Sequence, residues 1–246
     1  MRSGNPQVRR LAKILFLAST AAFVASFFMR NRLPGRDAIL DPLLREPIQT
    51  GADLPAPFDI IKKGVPYTIV PMFNYELWGV VVSYHHAGSF VDISHEMWKD
   101  FVNVKDVCVI WGKNVASGAY ERMKFRNRDF TCYYRYPDRE TGALFTEDCL
   151  SNNHLLPADS AIARKVLKAR KGDQIHFKGW LVSYGIKDSP YRRMTSTTRS
   201  DRGNGACETV FVSEFEILER ANSEWRGLFK ISLVLMALCA AGFLFL

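Results

Sequence analysis

The chain lacks most of the short signatures that tie a sequence to a chemistry. None of its five cysteines forms a C-x-x-C pair, which argues against zinc-ribbon and thioredoxin-like sites. No G-x-S-x-G turn or glycine-rich oxyanion loop brackets a nucleophile. There is no internal repeat and no low-complexity tract. Histidine is scarce, five in 246 residues. His85 and His86 are adjacent, so on a strand they face opposite ways and do not share one ion. These absences lead us to expect no metal, no cofactor and no catalytic residues. Acidic residues are missing before Asp37, and charge is missing from two apolar runs, 14–29 and 231–246.

Those two runs are the strongest positive signal. As α-helices they cover about 24 Å each and approach the ~30 Å hydrocarbon core once their flanks are added. Arg2, Arg9, Arg10 and Lys13 precede the first run, which by the positive-inside bias places the N-terminus in the cytoplasm. The long segment between the runs is then translocated and the second run returns to the membrane, with Trp225 as an interfacial anchor. A cleaved signal peptide is the rival reading of the first run; a buried C-terminal helix or a glycolipid-anchor tail is that of the second. Small residues four apart, Ala18, Ala22 and Ser26 in one run and Ala237 and Ala241 in the other, suit close helix packing.

The net charge of +8 points toward nucleic acid only until it is divided. Arg2, Arg9, Arg10, Lys13 and Lys230 lie outside the middle segment, leaving 28 basic against 25 acidic residues within it. Such a balanced surface lacks the electrostatic footprint of phosphate-backbone binding, so no nucleic-acid partner is expected. Cys239 falls in the second run. Cys108, Cys132, Cys149 and Cys207 all fall in the middle segment. In an oxidising compartment this even count implies two disulfides, with three possible connectivities; four buried thiols are the alternative.

The organisation reads as a cytoplasmic lead and first span (1–30), a proline-rich stretch (31–66), an extracytoplasmic domain (67–219) and a second span with its approach (220–246). Proline at 34, 42, 47, 55, 57 and 66 makes the second part an extended spacer, or an arm against the domain. Strand-like residues follow at 67–72, 77–85, 107–111 and 130–136, with Gly79 placed to bulge the second of these. Asp159 caps a helix running to about Ala169, which ends at Lys171-Gly172-Asp173. Alternation then marks a strand over 174–184, where Ile175, Phe177, Gly179 and Leu181 face one way. A last strand covers 208–218. Asn152 and Asn153 read as turn residues leading into the helix.

The order strand, strand, strand, helix, strand, strand is similar to that of the OB-fold, a five-stranded Greek-key barrel with its helix between the third and fourth strands. The stretch from Gly172 through Asp173, Gln174, Ile175, His176, Phe177 and Lys178 to Gly179 resembles the opening of its fourth strand. Two features depart from the family: a long segment between the first two strands, and a long one between the third strand and the helix. The expected class is therefore mainly β with one helix, an OB-like barrel flanked by two membrane helices; a generic α+β domain or a β-sandwich is the alternative.

The resemblance implies a binding face flanked by two loops. One holds His85, His86, His95 and Trp98. The other holds Tyr191, Arg192, Arg193, Thr197, Arg199, Asp201 and Asn204, whose guanidinium, hydroxyl and amide groups suit a carboxylate, a sugar or a partner backbone. Asp148, Ser151 and His154, with Cys149 among them, are the only cluster that suggests a hydrolase. The leading expectation is an accessory subunit of an envelope membrane complex, periplasmic in a Gram-negative cell, whose partners are the bilayer and other envelope proteins. The alternatives are a glycan or small-ligand binding protein and an envelope hydrolase.

Overall fold

A computed structural model of the chain describes residues 6–88, 93–128, 130–203 and 206–243. The molecule divides into two compact units, Met1–Arg32 with Arg220–Leu246, and Leu33–Glu219.

The first unit is a helix pair, α1 (Pro6–Met29) and α6 (Ser223–Phe243). Pro6 suits a first helical turn, where its missing N–H costs nothing, and Glu224 faces the positive end of α6. Both helices are long and apolar enough to cross a membrane. Their seam is built from serine and phenylalanine. Ser19 and Ser26 of α1 and Ser232 of α6 are buried, and Phe23 stacks on Phe229 with ring centroids 4.8 Å apart. Each serine hydroxyl donates to a carbonyl of its own helix, Phe16 (2.9 Å), Phe23 (3.0 Å) or Phe229 (3.1 Å). The hydroxyls are therefore satisfied without water. Ala18, Ala237 and Ala241, expected at this seam, are exposed instead; of the expected small residues only Ser26 is buried in it.

The second unit is α+β, with more helix than the single one expected. After 3₁₀ turns at Arg36–Ala38 and Asp41–Leu44 come β1 (Ile48–Thr50), β2 (Phe58–Lys62) and β3 (Val65–His86). Then follow α2 (Ile93–Met97), β4 (Lys105–Ile110), α3 (Gly112–Ser117), β5 (Lys124–Arg128), β6 (Thr131–Arg135) and α4 (Arg139–Ala143). The unit ends with β7 (Leu150–Pro157), α5 (Ser160–Lys168), β8 (Gln174–Ile186) and β9 (Glu208–Glu219).

The pairings of the large sheet run from β3 to β4, β7, β9 and β8, and β8 pairs again with β3. Only β7 and β9 are parallel. The 22-residue β3 spans both of the stretches expected at 67–72 and 77–85 and the residues between them. The register of β3 against β8 shifts between Pro71 and Phe73, a position where a missing donor does no harm. Gly79 is not a bulge: a Cβ there would lie 2.3 Å from Val109 Cγ1, so it marks a close approach of β3 to β4.

The third strand of this ring is β7, not 130–136. The latter is half of the β5–β6 hairpin, a separate two-stranded sheet. β7 is hard to see because its centre is Ser-Asn-Asn-His, with Asn152 and Asn153 inside the strand rather than in a turn. With β7 ending at Pro157 and α5 beginning at Ser160, the expected long gap before the helix disappears. The proline-rich stretch is an arm: β1 and β2 pair with β3, and Leu43 is fully buried in a cluster with Val80, Cys108 and Ile110.

Apolar side chains cover both faces of these strands. Leu77, Val107, Val109, Leu155, Phe177, Leu181 and Val210 share one cluster, with the alternate residues Ile175, Phe177 and Leu181 facing it as the period-two pattern requires. α5 closes this cluster with Ile162 and Val166. Asp159 caps it, accepting from the amides of Ala161 (2.7 Å) and Ile162 (2.8 Å). At its other end the fully buried Lys105 donates to the carbonyls of Val166 (3.3 Å), Leu167 and Ala169. These are the acceptors a helix C-terminus leaves open.

One disulfide forms among the described residues, Cys108–Cys132, tying the hairpin to β4. The second expected bridge does not. Cys149 and Cys207 are free, because Asn153 pairs with Glu208, which sets Cys207 level with Asn152. Cys149 lies three positions away, roughly 10 Å along a strand, beyond the reach of a disulfide.

Candidate functional site

Of the two loops singled out in the sequence, His86 to Asp106 and Gly185 to Ala206, residues 98–100 and 191–194 meet over β7 and β8. They enclose a cavity of about 500 Å³ lined by residues of both, including Trp98, Asp100, Tyr191, Arg192 and Arg193, and by His154, Tyr184 and Phe130. Trp98 and Tyr191, one from each loop, stand 5.8 Å apart between ring centroids, and both are exposed.

Beneath the cavity lies a buried polar network. Asp106 and His154 are cross-strand partners on β4 and β7, both completely buried, with His154 Nδ1 2.6 Å from Asp106 Oδ1. The other ring nitrogen, Nε2, is 2.8 Å from an Arg193 guanidinium nitrogen. Arginine only donates, so Nε2 is the acceptor, the proton sits on Nδ1, and Nδ1 donates to Asp106. His154 is a neutral imidazole here. Asn103 also donates to Asp106 Oδ1 (2.7 Å). Burial alone would raise the Asp106 carboxyl, but the electrostatic attraction of His154 and the hydrogen bonds from His154 and Asn103 outweigh it and hold it below the usual carboxylate range.

Arg193 is clamped from several sides. Its guanidinium donates to Asp100 Oδ2 (3.4 Å), whose Oδ1 accepts from Tyr184 (2.7 Å). Its backbone pairs with that of Tyr184 in both directions, at 2.9 and 2.7 Å. The Phe130 ring lies 4.3 Å below the guanidinium. Phe130 has φ of 60° and Lys99 φ of 52°, left-handed values that cost a bulky side chain about 1–3 kcal/mol. Both line the cavity, so backbone strain is concentrated there.

Of the loop residues expected from sequence, Trp98, Tyr191, Arg192 and Arg193 line this cavity. His86 does not: it stands at the end of β3 opposite Lys105, edge-on to Tyr84 at 5.2 Å, and burial lowers its imidazole to about 4. The carbonyl of Thr197 accepts from Gln49 (2.9 Å). Arg199 turns inward, donating to Glu208 and to Gln49 (3.3 Å) with the Tyr75 ring 5.2 Å away. Arg199 and Asp201 line a second cavity, of about 600 Å³. Asn204 lies outside the described residues. Asp148 binds Arg202 at the surface (2.6 Å). Ser151 and His154 point to opposite faces of β7, Ser151 Oγ accepting from Asn153 (2.8 Å); the three are not brought together as a hydrolase would need. Asp106, Asn103 and Phe130 were missed. The signal for them is the polar centre of β7, which requires buried partners wherever it packs.

The second cavity carries a pH dependence. Burial raises the Glu208 carboxyl to about 7 against the pull of Arg199. Arg199 donates to Oε1, and Oε2 has no partner among the described residues, which leaves it free to hold the proton. Unfolded, this carboxyl titrates near 4.5. Between those values the folded state keeps a proton that the unfolded state has lost, so stability falls as pH rises through the window. His86, lowered to about 4 from 6.5, acts oppositely but cancels when two variants are compared. Urea unfolding of Glu208→Gln against the parent chain should show the variant gaining up to about 3 kcal/mol between pH 4.5 and 7. A pH-independent difference would exclude a protonated Glu208.

No family model, curated protein or solved structure matches this chain.

Proposed function

We propose that the chain is a membrane-anchored binding protein whose extracytoplasmic, OB-like domain holds a small ligand between residues 98–100 of one loop and 191–194 of the other. The observation that carries this reading is the convergence of those loops on one cavity, with an exposed aromatic pair at its mouth and a pinned guanidinium in its wall. Such concave, aromatic-lined spaces with few convergent polar groups are the usual form of small-ligand sites.

The OB-like part of the proposal is supported by the pairing order. Numbering the ring strands in chain order from β3, they run one, two, three, five, four and back to one, with the three–five pair parallel and a helix between three and four. In that family the loops between strands one and two and between four and five flank the binding face. They correspond here to the two converging loops. Membrane anchoring is supported by α1 and α6, and an oxidising location by the Cys108–Cys132 bridge. The accessory-subunit reading rests on the two anchors alone; the ligand reading has the cavity as well.

Native mass spectrometry of the full chain, released from membranes in mild detergent, should show a small-molecule adduct that is lost in the Trp98→Ala/Tyr191→Ala double variant. An adduct retained by that variant, or absent from the parent, counts against the reading.

A further inference from the structure

The cavity's wall and its mouth differ in kind, and together they select a ligand chemistry. Only two bonds from the Arg193 guanidinium to other side chains are present among the described residues, one to His154 and one to Asp100. Its remaining N–H groups are unspent on a side chain that is 22% exposed and lines the cavity. His154 cannot share the role of cation, because its Nε2 is accepting. Asp100, the acid of the lining, already has one oxygen on Tyr184 and the other on Arg193. Arg192, beside Arg193, lines the same cavity and is exposed, and its side chain forms no ion pair among the described residues. The wall therefore has donors and positive charge in excess. The mouth, by contrast, offers the flat faces of Trp98 and Tyr191.

We infer that the ligand joins an acidic group to a ring, as an acidic monosaccharide or a nucleoside monophosphate does, with the acid on Arg193 and Arg192 and the ring against Trp98 and Tyr191. A planar guanidinium fork matches a carboxylate or phosphate, and an aromatic face accepts either a sugar or a base. The inference rests on the cavity being the ligand site and adds its chemical polarity. The imidazole, the Phe130 ring and one oxygen of Asp100 keep the Arg193 fork oriented, and the exposed Arg192 adds positive charge beside it.

Saturation-transfer NMR on the full chain in detergent micelles tests this with five probes: glucuronate, glucose, uridine monophosphate, uridine and choline. At least one acidic probe should bind roughly tenfold more tightly than its neutral counterpart; glucuronate against the phosphate then separates carboxylate from phosphate recognition. Arg192→Gln, outside the clamp and harmless to the fold, should shrink that preference. Trp98→Ala should weaken acidic and neutral members alike. Equal binding of acidic and neutral partners, or selection of choline, overturns the inference and leaves the cavity reading standing. Silence from all five probes overturns both.

Discussion

Replacing His154 by alanine is expected to lower stability by about 3–5 kcal/mol. The residue has no exposed surface and stands between a buried carboxylate and a guanidinium. Removing its ring leaves Asp106 with Asn103 as its remaining side-chain partner and Arg193 without an acceptor on that side. An uncompensated buried charge of this kind costs more than the pair itself contributes, so the loss should depend on Asp106. In a double-mutant cycle Asp106→Ala/His154→Ala should cost clearly less than the sum of the two single changes. Chemical unfolding of the full chain in detergent measures all three. Additive effects, or a His154→Ala cost below about 1 kcal/mol, would mean that the two side chains are not coupled as described.

Gly179→Ala should be of comparable severity. Gly179 lies where β8 shifts register against β9, and it also pairs with Tyr75 on β3. A Cβ there would stand 1.9 Å from the Phe211 carbonyl oxygen and 2.9 Å from its carbon. Both are backbone atoms held in a strand, so no side chain can swing aside to make room. The strands must separate, and the expected cost is about 3 kcal/mol or more, enough to deplete folded chain. Gly88→Ala is the control, with nothing within 4 Å of the added carbon and an exposed position. If the two variants unfold at similar urea concentrations, β8 and β9 do not approach as closely as described.

Much of the fold is legible where one period dominates. The terminal helices announce themselves by uninterrupted apolarity, α5 by Asp159 and its two-sided pattern, and β8 by alternation that points Ile175, Phe177 and Leu181 into one cluster. Legibility fails where a strand is covered on both faces or carries polar residues inward. β4 is buried at every position, so alternation is invisible there. β7 hides its role because Asn152, Asn153 and His154 look like turn chemistry until the hairpin and β4 supply their partners. Asn152, for instance, is met by Asn127 (2.7 Å) and by the Phe130 carbonyl (3.0 Å). Half of the candidate site was therefore open to sequence reasoning, the loop residues Trp98, Arg192 and Arg193. The other half, Asp106 and His154 beneath them, depended on a strand register that no local pattern encodes. The even count of four cysteines implied a second bridge, but register again keeps Cys149 and Cys207 apart.

The bridge between Cys108 and Cys132 bears on more than the hairpin's own stability. Two residues before Cys132 stands Phe130, whose ring is the floor under Arg193 and also meets His95 at 4.4 Å. The covalent link thus fixes one side of the recess from outside it. A reductant that opened the bond would leave the strands of the sheet paired, yet would remove one restraint on the platform under the guanidinium, Phe130, whose carbonyl also accepts from Asn152. Under the proposed ligand reading, grip on an acidic guest would then track the thiol balance of the compartment, although neither Cys108 nor Cys132 lines the recess.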